Sequence, residues 1–362
     1  MKIVGIDLKK LGIPLKKPFK TALRTVNFAE STIIIVKSDD GRVGHGEAPP
    51  TAVITGDTNG GIIGAIKESL EKAIVGEDIE NIERIMHKLD RVIVRNTSAR
   101  AAVDMAIYDL FGKLYNAPIY KLLGGYRDRI ETDITISVNE PEEMKEDAIK
   151  FVNKGFTALK IKVGIDSEKD FERVKAVRQE VGYGVKIRLD ANQGWRAKEA
   201  VRVIKKMEDA GLNIELVEQP VKAWDIEGLK FVTDNVDTQV MADESMFSPY
   251  DAFRILSLRA ADLINIKLMK CGGIHNALKI VAIAEACGVE CMLGSMIESK
   301  LSVTAAAHLA CAKRNITRFD LDTALLLASD PVVGGIKNEA PILVVPDKPG
   351  LGIERIDGMK EI

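Results

Sequence analysis

The sequence has few cysteines, and their spacing excludes two kinds of site. The four cysteines include no CxxC pair and all lie toward the C-terminal end, at Cys271, Cys287, Cys291 and Cys311. This pattern is neither a disulfide framework nor a zinc site. The histidines, also four, share no metal-ligand spacing. We therefore expect buried free thiols in a reducing compartment.

Long apolar runs and blocks of one charge are also missing. No run approaches the roughly 18 apolar residues of a membrane span, and the N-terminus MKIVGIDLKKLGIPL lacks the apolar core of a signal peptide. Lys and Arg number 51 against 53 Asp and Glu, a net charge of -2 without a basic block. We therefore expect a cytoplasmic protein that binds neither membrane nor nucleic acid.

The length of 362 residues predicts two domains, and the first resembles an α+β unit. Strands are indicated over 2–12 and 31–38, followed by a hairpin turn at Asp39-Asp40-Gly41. Helical patterns follow near 62–75, 79–94 and 97–117. Thr97 and Ser98 are the predicted N-cap residues of the last helix. We place this domain at 1–125.

From residue 126 onward, eight apolar runs alternate with helical segments at nearly even intervals. The runs cover 131–138, 157–164, 185–192, 213–220, 238–245, 261–268, 289–296 and 315–322. Eight equal strand–helix units close most simply into an α/β barrel over 126–330. An open doubly wound sheet explains the equal spacing less well, and no GxGxxG follows a strand. The tail, 331–362, reads as a return segment that packs on the first domain.

Three successive runs end in a carboxylate, at Asp190, Glu218 and Asp243. The C-terminal strand ends of a parallel barrel meet at one face, where catalytic groups collect. Any one of these acids could simply cap a helix or pair with a lysine. Three together would repel one another, and a hard divalent cation resolves the conflict. We therefore predict a Mg²⁺ site.

Lysines flank these acids. Lys160 and Lys162 lie two residues apart on the second run, so both point into the barrel if the apolar residues between them face the helices. Lys267 ends the sixth run, on the opposite side of an eight-stranded barrel. A lysine can take a proton from the carbon beside a carboxylate if nearby cations lower its pKa. Two facing lysines would invert that carbon, whereas a single base would suit elimination or cycloisomerisation.

These motifs resemble the enolase superfamily, muconate-lactonizing subgroup, in which a Lys base with Mg²⁺ is an established pattern. The matching segments are KIKVG, RLDANQGW, ELVEQP, ADES, NIKLMKCGGI and PGLGIE. The resemblance implies a (β/α)7β TIM-like barrel, with an α+β capping domain formed by the N-terminal part and the C-terminal tail. It also implies one Mg²⁺ per subunit and, as the usual state, a homo-oligomer.

A narrower resemblance to dipeptide epimerases rests on three further segments. KPFKTALRT (17–25) contains Arg24, which would pair with a substrate side-chain carboxylate, and GEAPPTAVITGD (46–57) is a loop over the site that contains Ile54. RFDLD contains Asp320 and Asp322, which would hold the α-ammonium group. Thr323-Ala324 then follows, where close relatives tend to have Ala-Pro.

The implied substrate is a dipeptide such as L-Ala-L-Glu or L-Ala-D-Glu. Thr135 could hydrogen-bond its carboxylate, and the segment from Ser295 through Ile297 to Glu298 would line the pocket. From the residues alone, Arg24 could be a solvated loop arginine and Thr135 a packed barrel residue. The aspartate pair could cap a loop or pair with Arg318.

Five other functions stay open, of which one is a dipeptide epimerase with a different side-chain preference. N-acylamino acid racemases and o-succinylbenzoate synthases share the barrel but need no ammonium-binding aspartates. A muconate cycloisomerase would not need two bases. A non-catalytic ligand-binding barrel is possible in principle, although binding alone gains nothing from two buried amines.

Overall fold

In a computed structural model that describes residues Met1–Ile362, the N-terminal strands form an antiparallel sheet. Its strands are β1 (Ile3–Lys20), β2 (Thr25–Ser38) and β3 (Val43–Ala48). The predicted hairpin turn is present between β2 and β3, and Gly41 supplies its left-handed backbone with a φ of 83°. Ile33, Ile34 and Val36 are fully buried, and because adjacent strand residues point to opposite sides, both faces of β2 are covered here.

Five α-helices complete this part of the chain. They are α1 (Asn59–Ala65), α2 (Glu71–Ile74), α3 (Ile82–Val92), α4 (Thr97–Leu114) and α5 (Ile119–Leu122), with a π-helical turn at Ile66–Leu70 and a 3₁₀ turn at Ile79–Asn81. The N-cap prediction for α4 is wrong. The cap is Asn96, without a side-chain bond, and the N–H of Ser98 donates instead to Asp57 Oδ2 at 3.0 Å. The long-range partner replaces the local cap, and so ties the end of the 46–57 loop to α4.

The predicted barrel is confirmed. After the short strand β4 (Arg129–Glu131), eight parallel strands stand in chain order in one sheet: β5 (Ile134–Ile136), β6 (Ala158–Lys162), β7 (Lys186–Asp190), β8 (Ile214–Glu218), β9 (Gln239–Ala242), β10 (Leu263–Lys267), β11 (Cys291–Gly294) and β12 (Ile316–Asp320). The N–H of Asp133, beside β5, donates to the carbonyl of Phe319 on β12 at 3.0 Å, which brings the first and last strands together.

Helices cover the outside of these strands. They are α6 (Pro141–Val152), α7 (Ser167–Val181), α8 (Ala197–Asp209), α9 (Ile226–Thr233), α10 (Pro249–Ser257), α11 (Leu268–Cys271), α12 (Ile274–Ala286), α13 (Lys300–Ala312) and α14 (Thr323–Leu326). The crossovers therefore follow the (β/α)7β order.

The two faces of each barrel strand carry different residues, because side chains alternate. On β6, Leu159 and Ile161 are fully buried in the main core beneath the helices. The residues at the alternate strand positions point into the barrel interior. A separate apolar cluster there contains Leu216, Met241, Leu263 and Met292. This apolar layer lies inside the barrel, below the charged residues at the strand ends.

The tail contacts both parts of the molecule. Its strands are β13 (Val332–Gly334), β14 (Lys337–Glu339), β15 (Ile342–Val344), β16 (Ile353–Ile356) and β17 (Lys360–Glu361). β17 pairs with β1, and the N–H of Leu351 donates to Asp109 Oδ1 on α4 at 2.9 Å. β15 pairs with β4, inside the segment expected to form the barrel. The tail thus joins the two parts rather than packing on the first alone.

The expectation of buried free thiols is correct for three cysteines and wrong for the fourth. Cys271, Cys291 and Cys311 are buried, whereas Cys287 is exposed at the C-terminal end of α12. α12 ends at Ala286, directly before Cys287, so this thiol lies at the surface although the neighbouring sequence is apolar. None of the helices combines the length and apolarity that crossing a membrane requires.

Candidate active site

A cleft of about 520 Å³ opens at the C-terminal ends of the barrel strands, beneath the N-terminal part of the chain. Nine of the residues predicted for the site line it: Arg24, Ile54, Thr135, Lys162, Lys267, Ser295, Ile297, Asp320 and Asp322. The cleft therefore brings together side chains from the first hairpin, the 46–57 loop and five barrel strand ends.

Strand register sets the level of the charged residues. Lys162 pairs with Asp190 across β6 and β7, and Asp190 pairs with Glu218 across β7 and β8. On the other side, Lys267 pairs with Gly294, and Gly294 with Asp320. Because each pair sits at the ends of its strands, the side chains reach the same layer of the barrel.

The three predicted metal ligands are fully buried and contact lysine ammonium groups. Lys162 Nζ donates to Asp190 Oδ2 at 2.5 Å, and Lys267 Nζ donates to Asp243 Oδ2 at 2.9 Å. Burial acts to raise the pKa of both aspartates, but the surrounding lysines outweigh it and hold each below its ordinary value. Asp190 and Asp243 are therefore ionised.

Lys160 lies below the cleft and does not line it. Its Nζ is 2.6 Å from Glu218 Oε2, 2.7 Å from Asp320 Oδ2 and 3.0 Å from Asp190 Oδ2. Burial alone would lower its pKa, but the three acids raise it well above the ordinary lysine value. Lys160 is thus a fixed cation in the acid layer, shielded from the cleft that Lys162 lines.

Sequence reasoning missed Lys270. Its ammonium group is fully buried, donates to Asp243 Oδ1 and, at 3.0 Å, to the carbonyl of Asn265. Burial lowers its pKa. The only signal was the second lysine of NIKLMK, three residues after Lys267 and therefore on the turn that follows the strand.

Lys267 also sits among acids in this arrangement. Burial would lower its pKa, but the charge of Asp243 outweighs burial and raises it above the ordinary value. As arranged, Lys267 carries a proton.

The metal prediction depends on whether the oxygen atoms here fit a hard cation. No three His, Cys, Asp or Glu side chains converge as a ready ligand set, because the lysine ammonium groups lie between the acids. Two buried oxygens nevertheless have no partner, namely Glu244 Oε2 and Asn192 Oδ1, and Glu218 Oε2 meets only the ammonium group of Lys160.

The charge of this region also fits a cation. Burial and the charge of Asp190 raise the pKa of Glu218 to about 7. Burial and the charge of Asp243 raise the pKa of Glu244 to about 8. Added positive charge would relieve both groups, and an all-oxygen donor set is what Mg²⁺ takes. The residues present therefore fit the predicted ion.

The aspartate pair lies where the barrel closes, and Asp320 shares the ammonium group of Lys160 with Glu218 and Asp190. Asp322 Oδ2 accepts the N–H of Thr135 at 2.7 Å, a bond between the last and first strand regions. Burial, with the charge of Asp320, raises the pKa of Asp322 to about 6. The alternative pairing with Arg318 is wrong, since Arg318 bonds Glu215 and Glu290 instead.

The N-terminal part supplies the other wall. Arg24 is half-buried and lines the cleft, and its guanidinium makes neither an ion pair nor a hydrogen bond within the protein. Its role as a substrate-binding residue therefore stays a prediction, as does the solvated-loop alternative. Burial lowers its pKa. Ile54 is half-buried at the rim. An unpaired cation facing a cleft is a ready partner for an anion.

One predicted lining residue turns away. Ser295, Met296 and Ile297 line the cleft, but Glu298 does not. Glu298 accepts the N–H of Met296 at 2.7 Å and the hydroxyl of Ser302, so its carboxylate stabilises the start of α13. These residues lie past the end of β11, where neighbouring side chains follow no regular alternation.

Other lining residues were not predicted. Asn192 follows Asp190 with a left-handed φ of 42°, and Phe19, Thr21 and Leu23 surround Arg24. All four lie within segments that the resemblance singled out, but the sequence did not show which side chains face the cleft.

Fold and site together define an α/β-barrel enzyme with paired lysines above buried acids. Residues 143–357 match the model for the enolase C-terminal domain-like family, and residues 5–124 match the mandelate racemase / muconate lactonizing enzyme N-terminal domain. The chain belongs to the mandelate racemase / muconate lactonizing enzyme family of the enolase superfamily, and it is an isomerase of the racemase and epimerase class.

Individual relatives agree over nearly the whole chain. An L-Ala-D/L-Glu epimerase of Clostridium acetobutylicum is 57% identical, covering 99% of this chain and 100% of the relative. The substrate-liganded structure of the L-Ala-D/L-Glu epimerase from Bacillus subtilis is 56% identical with a TM-score of 0.97, covering 98% of this chain and 99% of that one. A dipeptide epimerase from Enterococcus faecalis, complexed with Mg and L-Leu-L-Tyr, is 47% identical with a TM-score of 0.95, covering 98% and 100%.

Proposed function

We propose that this protein is a Mg²⁺-dependent epimerase of L-Ala-L-Glu and L-Ala-D-Glu that inverts the α-carbon of the C-terminal residue. The observation that carries the proposal is the shared cleft of Lys162 and Lys267. Their strands, β6 and β10, stand four apart in the eight-stranded sheet, on opposite sides of a closed barrel. A carbon held between them is open to a base on each face.

The two lysines have reciprocal roles. One removes the α-proton in its neutral form, and the other returns a proton to the opposite face, which leaves the inverted carbon. The intermediate is an enediolate with a second negative charge on the substrate carboxylate. Bound to Asp190, Glu218 and Asp243, Mg²⁺ would supply positive charge close to that carboxylate. Lys160 adds a fixed positive charge beneath it, and Thr135 offers a hydroxyl at the same level of the barrel.

The two ends of the cleft fix the substrate's direction. Asp320 and Asp322 bind the α-ammonium group at one end, and Arg24 binds the side-chain carboxylate of Glu through two parallel donors. Ser295, Ile297 and Ile54 enclose the peptide between them. The unpaired guanidinium of Arg24 supports an acidic C-terminal residue, as does 57% identity to an enzyme named for Ala-Glu.

The test is solvent exchange with a panel of dipeptides in heavy water. With Mg²⁺ present, we expect L-Ala-L-Glu to gain one deuterium and to give its epimer, and chelation of the metal to stop both. If no dipeptide exchanges its α-proton, the proposal is wrong. Tight binding of a dipeptide without exchange would instead support a non-catalytic binding barrel.

A second arm separates this function from N-acylamino acid racemase or o-succinylbenzoate synthase activity. We expect Asp320→Asn and Asp322→Asn to cripple dipeptide turnover while sparing N-acyl substrates, which carry no ammonium group. Preferred turnover of an N-succinyl amino acid by the unaltered protein would favour the racemase instead.

A further inference from the structure

The hydrogen bonds made by Asp320 and Asp322 show which of their carboxylate oxygens can still accept a bond from a ligand. Asp320 uses Oδ2 for Lys160 at 2.7 Å, and Asp322 uses Oδ2 for the N–H of Thr135 at 2.7 Å. Both residues line the cleft, and the Thr135 hydroxyl also bonds the Asp322 carboxylate. The pair therefore offers at most two further carboxylate oxygens to a ligand.

An α-ammonium group has three N–H donors. If the two free carboxylate oxygens take two of them, one donor remains. A charged donor left unbonded in a closed cleft costs more than an ordinary lost hydrogen bond. A third acceptor at the same end of the cleft would satisfy this donor.

Thr323 supplies such an acceptor. It lines the cleft directly after Asp322, is only 5% exposed, and its Oγ1 lies 3.2 Å from Ser295 Oγ. Ser295 Oγ in turn donates to the carbonyl of Asp320 at 3.3 Å. Because Ser295 has one proton and gives it to that carbonyl, Thr323 must be the donor within the hydroxyl pair. Its Oγ1 then keeps lone pairs free to accept.

We infer that Thr323 Oγ1 is a third acceptor for the substrate's α-ammonium group, and that it strengthens the preference for a free peptide N-terminus that the aspartate pair provides. This inference rests on the proposed function for the orientation of the dipeptide. The Thr323 hydroxyl bonds the Ser295 hydroxyl, which in turn bonds the carbonyl of Asp320. These two hydrogen bonds fix the rotamer of Thr323, so that its oxygen already faces the cleft before the substrate binds. Thr323 is thus a specificity-determining residue that touches the substrate.

The experiment compares two ligands that differ only in the ammonium group, L-Ala-L-Glu and N-propionyl-L-Glu. Their dissociation constants are measured by calorimetry with Mg²⁺, on the unaltered protein and on Thr323→Val, which keeps the shape and removes the hydroxyl. We expect Thr323→Val to weaken L-Ala-L-Glu about tenfold and N-propionyl-L-Glu less than twofold. In turnover, KM should rise about tenfold while kcat changes less than threefold.

Two controls complete the design. Thr323→Ser keeps the hydroxyl and should stay within threefold of the unaltered protein for both ligands. Thr317→Val removes an exposed hydroxyl on the same strand, β12, and should change neither constant. Equal weakening of both ligands by Thr323→Val, no weakening of either, or failure of Thr323→Ser to restore affinity would each overturn the inference. Binding without any dipeptide exchange would refute the proposed function while leaving this comparison valid.

Discussion

Lys162 Nζ lies 2.5 Å from Asp190 Oδ2, and the two residues are register partners on adjacent strands. Asp190, a proposed metal ligand, therefore directly contacts Lys162, a proposed base. A cation that binds Asp190 through Oδ2 competes with Lys162 for that oxygen. Metal binding at this oxygen would therefore release the Lys162 amine from its ion pair with Asp190.

The first prediction concerns the two bases. We expect Lys162→Ala and Lys267→Ala each to reduce epimerisation by about a thousandfold, since each removes one half of the proton transfer. Proton exchange should survive for one enantiomer in each variant. Following the family resemblance, Lys162→Ala should lose exchange with the L form and Lys267→Ala with the D form. Proton NMR in heavy water reads both.

The matched control for these variants is Lys186→Ala, at the exposed start of β7. It should exchange both enantiomers normally. If either active-site variant exchanged both enantiomers at the unaltered rate, the two-base scheme would be untenable.

The second prediction concerns Arg24, whose guanidinium has no partner within the protein. We expect Arg24→Met to lower kcat/KM for L-Ala-L-Glu about a hundredfold, because a bidentate charged contact is lost. With L-Ala-L-Met the change should stay below threefold. Steady-state kinetics on both substrates measure the difference. The control is Arg202→Met, exposed on α8; an equal loss on both substrates would contradict a role in side-chain recognition.

The third prediction concerns Gly294. A Cβ built there would lie 2.8 Å from Asn265 Oδ1 and 3.0 Å from Lys267 Cε, so Ala would displace the Lys267 side chain. We expect Gly294→Ala to lower kcat at least tenfold, with exchange of the D form falling more than that of the L form. Gly184→Ala, where nothing lies within 4 Å, is the control. Equal loss of exchange for both enantiomers would argue against a local effect on Lys267.

The fourth prediction concerns stability at low pH. His308 is fully buried, its Nδ1 accepts the N–H of Tyr120 at 3.1 Å, and burial lowers its pKa to about 4. The unfolded chain, with an ordinary histidine pKa near 6.5, binds the proton first. This residue's contribution is therefore full above about pH 6.5 and is lost as pH falls toward about 4, by at most about 3 kcal/mol.

Urea unfolding between pH 7 and pH 4 tests this sign. The stability difference between the unaltered protein and His308→Gln should shrink as pH falls, because Gln cannot take up a proton. His87→Gln, at an exposed position on α3, should show no such trend. A difference that is constant with pH would mean that His308 is not the group being titrated.

The sequence predicts most of the fold because the barrel repeats one simple pattern. Apolar runs at even intervals identify β5 to β12, and charged residues that end such runs identify Asp190, Glu218, Asp243 and Lys267. Alternation correctly paired Lys160 with Lys162 on one face. It could not separate them by depth, although Lys162 lines the cleft and Lys160 lies beneath it.

What the sequence did not reveal depends on contacts between distant segments. Asp57, rather than Thr97 or Ser98, bonds the start of α4, across 41 residues. Glu47 accepts the N–H of Ser299 at 2.8 Å across 252 residues. The domain boundaries, the site roles, the cytoplasmic location and the homo-oligomeric state stay predictions.

The bond between Asp322 Oδ2 and the N–H of Thr135 joins the ends of the barrel at the place proposed to receive the peptide's amine. A substitution of Asp322 would therefore weaken both the closure of the barrel and the binding of the substrate's N-terminus. Arg24 and Ile54, by contrast, lie on loops outside the barrel sheet. Laboratory evolution should therefore be able to change which C-terminal side chain of the dipeptide is accepted, through substitutions in the first 60 residues. The requirement for a free amine in the substrate should be harder to change.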